Sequence, residues 1–354
     1  MRIFKSLFFI IINILMVTVL NFILLKPSIL KLKIQEINQA NKSDNAYNFI
    51  TLGQSLINSG IDPEILDKEL GVNSYNCALG AEQISTINYL FDEINKSKKV
   101  KTIVLGLNAT YWTGVDSDGM GTGVLEFATE PFTKFKYFCK ELLHKQFTHL
   151  GMYSLNKAMV LNIPVYVKVK INKLYRHPTD NSLEWTSTYI AENNPQGIRN
   201  CYQYKPRGFS YGIALRPESN VSYKPLYFSG DEVPNAKIVS FENLVENCRK
   251  SNIELICISS AMSPHRLREE NYSEVHDYFK SLCEQNHVPY YDMTYAKKLK
   301  SRTDNDYLDW DGHMMGPMAE NQTELLCDVL QSENPEEFFF TNYSELLHAM
   351  NIGL

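Results

Sequence analysis

From residue 47 onward, short runs of β-branched and aromatic residues alternate with longer stretches whose apolar positions recur at helical spacing. Tyr47-Asn48-Phe49-Ile50-Thr51-Leu52 reads as a strand stopped by Gly53. Asp62 then stands as an N-cap with Pro63 at the first helical position, opening a short helix through Leu70. Val72 to Cys77 is a second strand. Ala81 to Ser97 carries Ile84, Ile87, Leu90, Phe91 and Ile94 near helical spacing and predicts a helix. Val100 to Leu107 is an apolar run of the kind a strand shows when both of its faces are covered. The alternation returns late in the chain. A helix is expected over Phe241 to Lys250, a buried strand over Ile253 to Ser259, a helix over Arg268 to Gln285, a strand over Val288 to Asp292 and a closing helix over Met318 to Leu330. Such an order implies an α/β fold, a three-layer α/β/α flavodoxin-like parallel sheet with helices on both faces.

Between these two regions the periodicity breaks. Residues 126–175 look helical and aromatic-rich, whereas 177–236 are polar, with many Tyr, Pro, Asn and Gly. Structureless stretches of that length in a compact domain serve as lids or binding loops, so 109–236 is expected to be a long insertion capping the sheet.

The N-terminus has a different pattern. Ser6 to Leu25 is a twenty-residue stretch without a charge, roughly 30 Å long as a helix. It ends at Leu24-Leu25-Lys26-Pro27 with no small-residue cleavage site, which predicts an uncleaved signal anchor, an N-terminal transmembrane helix, rather than a removed signal peptide. Arg2, Lys5 and the terminal amine favour an inside N-terminus, against the pull of Lys26, Lys31 and Lys33. The division expected is thus an anchor over 1–33 and one extracytoplasmic domain over 34–354. Charge agrees with that division. The 354-residue chain has a formal charge of −5, yet residues 1–33 hold five bases and no acid, leaving 30 bases against 40 acids in the body. An acidic body offers no electrostatic reason to bind nucleic acid. At 44% apolar and 21% charged residues the composition is that of a globular protein with a sizeable core. Seven scattered cysteines without a Cys-x-x-Cys pair argue against both a disulfide framework and a structural zinc site.

Ligands of a parallel α/β sheet bind at the carboxyl ends of its strands, and four segments fall there. In Leu52-Gly53-Gln54-Ser55 a serine occupies a tight strand-to-helix turn. Gly80, in Ala78-Leu79-Gly80-Ala81, can bring its backbone N–H close to a ligand. Asn108, in Gly106-Leu107-Asn108, can donate its side-chain amide to a developing oxyanion. Leu308-Asp309-Trp310-Asp311-Gly312-His313 offers a base and an orienting carboxylate.

Taken together, these blocks resemble the SGNH (GDSL-like) hydrolase superfamily over roughly 47–108 and 237–330. The resemblance is to membrane-anchored members that acylate or deacylate extracellular glycans, relatives of the D-alanine transfer protein of teichoic acid and of peptidoglycan O-acetyltransferases. The stretch from Leu52 to Pro63, a Gly-x-Ser turn followed by Gly60-Ile61-Asp62-Pro63, is similar to the opening of such proteins. The resemblance implies Ser55 as nucleophile and His313 as base, with the N–H groups of Ser55 and Gly80 and the Asn108 amide as oxyanion hole. It implies no metal or organic cofactor, a carbohydrate or acyl-ester substrate, and a membrane acyl-donor protein as a partner. Two positions depart from the pattern. Gln54 replaces the acid of Gly-Asp-Ser, and Trp310 stands three residues before His313 where the catalytic Asp is expected. Asp309 and Asp311 flank that position and either can serve. Asp311 would use the backbone freedom of Gly312, and Asp309 would require Trp310 to pack outward or into the body.

Other features carry less chemistry. Gly119-Met120-Gly121-Thr122-Gly123 misses the dinucleotide-binding spacing and reads as a loop. His144 and His149 stand five residues apart and do not share a helix face as a metal pair would. His265, after the fourth strand of the sheet, reads as a solvated loop histidine on the active edge, and Phe338-Phe339-Phe340 as a tail packed back on the body.

Overall fold

The computed structural model of the chain describes residues 5–13, 15–16, 29–43, 45–79, 83–113, 128–130, 201–215 and 223–352, with isolated positions between 132 and 171. Helix α1 (Ile29–Ala40) precedes β1 (Phe49–Leu52), α2 (Ser55–Asn58), α3 (Pro63–Leu70), β2 (Ser74–Asn76), α4 (Ile87–Ile94) and β3 (Thr102–Gly106). A hairpin of β4 (Tyr202–Tyr204) and β5 (Ser210–Gly212) follows, then α5 (Asn235–Lys250), β6 (Glu254–Ser259), α6 (Pro264–Glu269), α7 (Tyr272–Gln285), β7 (Tyr290–Asp292), α8 (Gly316–Gln331) and α9 (Tyr343–Ala349). The central sheet has the order β2–β1–β3–β6–β7 and every neighbouring pair is parallel. The strand order therefore reverses between β1 and β3, the point at which a doubly wound sheet opens a crevice at its carboxyl edge. Right-handed crossovers then send the β1–β2 connection to one face and the later connections to the other. Accordingly α3 packs with α8 on one side, and α4 packs with α5 on the other.

Continuous burial explains the strand sequences. Ile50, Leu52, Ile103, Val104, Leu105, Cys257 and Ile258 are all buried because helices cover both faces. The α3 boundaries follow the local chemistry. The Asp62 carboxylate accepts from the Glu64 N–H at 2.9 Å, Pro63 occupies the first turn, and Gly71 ends the helix at φ +65°.

Several elements differ from the sequence expectation. The helix expected over Arg268 to Gln285 is two helices, broken at Glu270 and Asn271. Glu270 leaves the helix to pair with Arg266 at 2.8 Å, and the Asn271 side chain bonds both the N–H and the carbonyl of Phe228. His265 consequently lies in the first turn of α6, not in a loop. Within the expected cap, Ala109, Trp112, Phe209 and Phe228 belong to the main core, and Trp112 sits edge-on to Phe241 and Phe279. The 119–123 loop, His144 and His149 lie outside the described residues. The tail does pack back, with Phe339 stacked on Tyr291 and the Phe340 N–H bonded to the Tyr295 carbonyl at 2.8 Å. None of the seven cysteines forms a disulfide.

Helix α1 straddles residue 33 and docks on the body through Lys33, Ile34 and Ile37, each about fully buried. The Lys33 ammonium lies among the Asn58 Oδ1 at 2.8 Å and the carbonyls of Asn76, Ala78 and Gly208 at 3.0, 2.6 and 2.9 Å. Of the chargeless run from Ser6 to Leu25, only 6–13 and 15–16 are described. They are helical, and among the described residues no helix is long and apolar enough to cross a membrane.

Candidate active site

The turn that carries Ser55 begins where β1 ends. Gly53 has φ +133°, and a Cβ there would come within 3.1 Å of the Gly106 carbonyl, so only glycine lets the chain turn this sharply against β3. Gln54 is extended, and Ser55 opens α2 with its side chain half-buried at the sheet edge. The Leu79 N–H bonds the Gly53 carbonyl at 3.0 Å, tying the segment after β2 to the same turn. Gly80 itself lies outside the described residues.

The imidazole comes from the other end of the chain. Tyr307 and Met314 pair in an antiparallel bridge, the Leu308 N–H bonds the His313 carbonyl at 2.7 Å, and Gly312 takes φ +92°. This tight loop folds Asp309 back under His313. Asp309 Oδ1 and Oδ2 accept from His313 Nδ1 at 2.9 and 3.0 Å, and Oδ1 also faces the His313 backbone N–H at 3.3 Å. On the far side of the ring, Nε2 lies 2.7 Å from Ser55 Oγ. With Nδ1–H held by a carboxylate, Nε2 is the acceptor for the serine hydroxyl, the tautomer a general base requires. The Asp309 side chain is 1% exposed and the His313 side chain 14%, so their electrostatic interaction is only partly screened by solvent.

Asp309 is thus the partner of His313. Asp311 is exposed, with its carboxylate within 4.8 Å of the other two ligand-type groups of the loop. Asp309, Asp311 and His313 could together face a cation, but Asp309 and Ser55 already engage both imidazole nitrogens. A cation on His313 would have to displace one of those bonds.

Asn108 follows β3, the strand beside β1. Its Oδ1 accepts from the Thr110 N–H at 3.0 Å, capping a short 3₁₀ turn and leaving the NH2 end of the amide to serve a ligand. That turn carries Tyr111, a residue the sequence reading missed. Its carbonyl accepts from the buried Lys237 ammonium at 2.8 Å, and its hydroxyl interacts with Ser55. Burial pushes the Tyr111 hydroxyl above its usual range, the Asp311 carboxylate adds to this, and Ser55 acts in the opposite direction. The only sequence signal for Tyr111 was its place three residues after Asn108 on the active edge.

Behind the loop, Arg266 donates from Nε and Nη2 to Glu270 at 2.9 and 2.8 Å, and from Nη1 to the Asp311 carbonyl at 3.0 Å. A cavity of about 20 Å³ lies between this pair and the strand ends, lined in part by Leu56, Asn108, Ser260 and Met262. Chemically, the assembly pairs a hydroxyl with a base, a carboxylate that can balance charge on that base, and an amide donor nearby. Those are the parts needed to attack an acyl carbon. Searches against protein-family models and against curated proteins gave no match.

Proposed function

We propose that the protein is a serine-dependent O-acyl esterase or O-acyltransferase of the SGNH type, acting on an extracytoplasmic glycan through an acyl-Ser55 intermediate. The observation that carries this reading is the continuous hydrogen-bonded series Ser55–His313–Asp309. Ser55 Oγ attacks the acyl carbon while its proton passes to His313 Nε2, and Asp309 balances the imidazolium that forms. The Asn108 amide, and by the family resemblance the N–H groups of Ser55 and Gly80, receive the negative charge of the tetrahedral intermediate. Collapse of that intermediate breaks the ester bond, and His313 returns its proton to the departing alkoxide. A sugar hydroxyl or water, deprotonated by His313, then attacks the acyl-enzyme and releases Ser55. A sugar acceptor makes the reaction a transfer, and water makes it hydrolysis.

The membrane-anchored, extracytoplasmic setting is part of this proposal. It rests on the chargeless Ser6–Leu25 run, whose Leu7, Phe8, Phe9 and Ile10 are exposed, and on the bases that flank it. The natural test is hydrolysis of an aryl acetate by the protein and by Ser55→Ala. Loss of turnover in the variant supports the nucleophile, and equal turnover overturns it. A folded protein inert towards both aryl acetate and a fluorophosphonate would instead be a membrane-tethered scaffold or glycan-binding protein.

A further inference from the structure

Trp310 interrupts the spacing of the His313 block, and its surroundings give that departure a use. Its neighbours Tyr307, Leu308 and Asp309 are buried, yet Trp310 is 40% exposed. Its ring stacks on His265 with centroids 4.4 Å apart and planes at 22°. Tyr223 closes the group from the side, tilted on His265 at 5.3 Å and edge-on to Trp310 at 6.0 Å. Three rings from separate segments therefore form one packed aromatic platform, and its Trp310 stands three residues before His313.

The platform is rigidly framed. The Tyr223 hydroxyl donates to Glu270 at 2.9 Å, the buried Arg266 is paired with that same Glu270, and the Arg266 guanidinium holds the Asp311 carbonyl next to Trp310. Burial and then Glu270 push the Tyr223 hydroxyl upward, so it remains a neutral donor. The His265 N–H donates to Asp304 at 2.7 Å, and Asp304 also pairs with Arg268 at the surface. The rim thus presents the exposed Asp311 carboxylate, which accepts hydrogen bonds from hydroxyl or amide groups and repels phosphates and uronates, beside the Asp304–Arg268 pair.

We propose that Trp310, His265 and Tyr223 form a sugar-binding subsite that holds a neutral or N-acetylated pyranose ring against Trp310 while its ester or acceptor oxygen faces Ser55. The subsite deepens the glycan reading of the active site and rests on it for the identity of the ring's reacting oxygen. An aromatic face supplies apolar contact for the C–H face of a pyranose, and the carboxylate rim suits its equatorial hydroxyls. A nucleobase would also stack, but its phosphates would meet Asp311.

Calorimetric titration of the full chain with neutral and N-acetylated tetrasaccharides (maltotetraose, cellotetraose, tetra-N-acetylchitotetraose), and with ATP, tests the subsite. Saturable binding of at least one tetrasaccharide is expected. Trp310→Ala should weaken it about tenfold or more, whereas Trp310→Phe, which keeps a ring, should retain most of it. Ser55→Ala should bind the same sugar as the unmodified chain does, so sugar affinity is read independently of whether Ser55 is the nucleophile. If none of the tetrasaccharides bind, if Trp310→Ala binds them unchanged, or if ATP binds in preference to all of them, the proposal is wrong. Thermal melts show that each Trp310 variant is folded.

Discussion

Replacing Asp309 and Asp311 one at a time by Asn tests which carboxylate supports His313 in the proposed reaction. Asp309 lies 2.9 and 3.0 Å from His313 Nδ1 and is 1% exposed. With charge centres about 4 Å apart in a setting intermediate between water and protein interior, the carboxylate stabilises the imidazolium by about 4 kcal/mol. Asn removes that charge and can present its NH2 to Nδ1, favouring the tautomer that cannot accept from Ser55. Asp309→Asn should therefore lower kcat by about three powers of ten. Asp311 is exposed, with its carboxylate within 4.8 Å of the ring nitrogen. Across water-like dielectric the same attraction is about 1 kcal/mol, so Asp311→Asn should cost about fivefold, and less at high salt. The assay is steady-state hydrolysis of 4-nitrophenyl acetate at two ionic strengths, with thermal melts to show that both variants fold. Equal losses in the two variants, or an Asp309→Asn that keeps more than about a tenth of the activity, would refute the assignment.

Four further outcomes follow from the same geometry. Tyr111→Phe, which removes a hydroxyl that interacts with Ser55, should lower kcat by about tenfold with little change in KM, read on the same aryl ester. Asn108→Ala should cost about a hundredfold in kcat if its amide serves the oxyanion, and leave the melting temperature within a few degrees because only one turn cap is lost. Lys33→Met would leave three buried carbonyls without their ammonium donor, and urea unfolding should show a loss of about 3 kcal/mol. Because both His313 nitrogens are engaged by Asp309 and Ser55, dialysis against EDTA should leave aryl acetate turnover unchanged.

The strands were legible because covering both faces of a sheet demands unbroken apolar runs, and Ile103, Val104 and Leu105 are such a run. Ser55, Asn108 and His313 were legible for a related reason, since Ser55 and Asn108 stand just past strands whose ends the pattern marks and His313 just before the closing helix. What chose between Asp309 and Asp311 was not in the pattern. The Leu308–His313 backbone bond and φ +92° at Gly312 fold the loop so that an i, i+4 pair meets. The break before α7 was hidden similarly, because Asn271 answers to Phe228, forty-three residues earlier. Lys33 reads in sequence as a flank of the apolar run. Its burial depends on acceptors from α2, the end of β2 and the β4–β5 turn, segments that only the folded chain brings together.

The central claim is that Ser55 carries the acyl group, and trapping that intermediate tests it most directly. Brief reaction of the full chain with 4-nitrophenyl acetate, acid quenching and peptide mass analysis should reveal an added acetyl of about 42 Da on Ser55. The adduct should be absent from Ser55→Ala and scarce in His313→Ala. An acetyl adduct that forms equally in Ser55→Ala, or turnover without any adduct at Ser55 under conditions that trap other serine acyl-enzymes, would contradict the account.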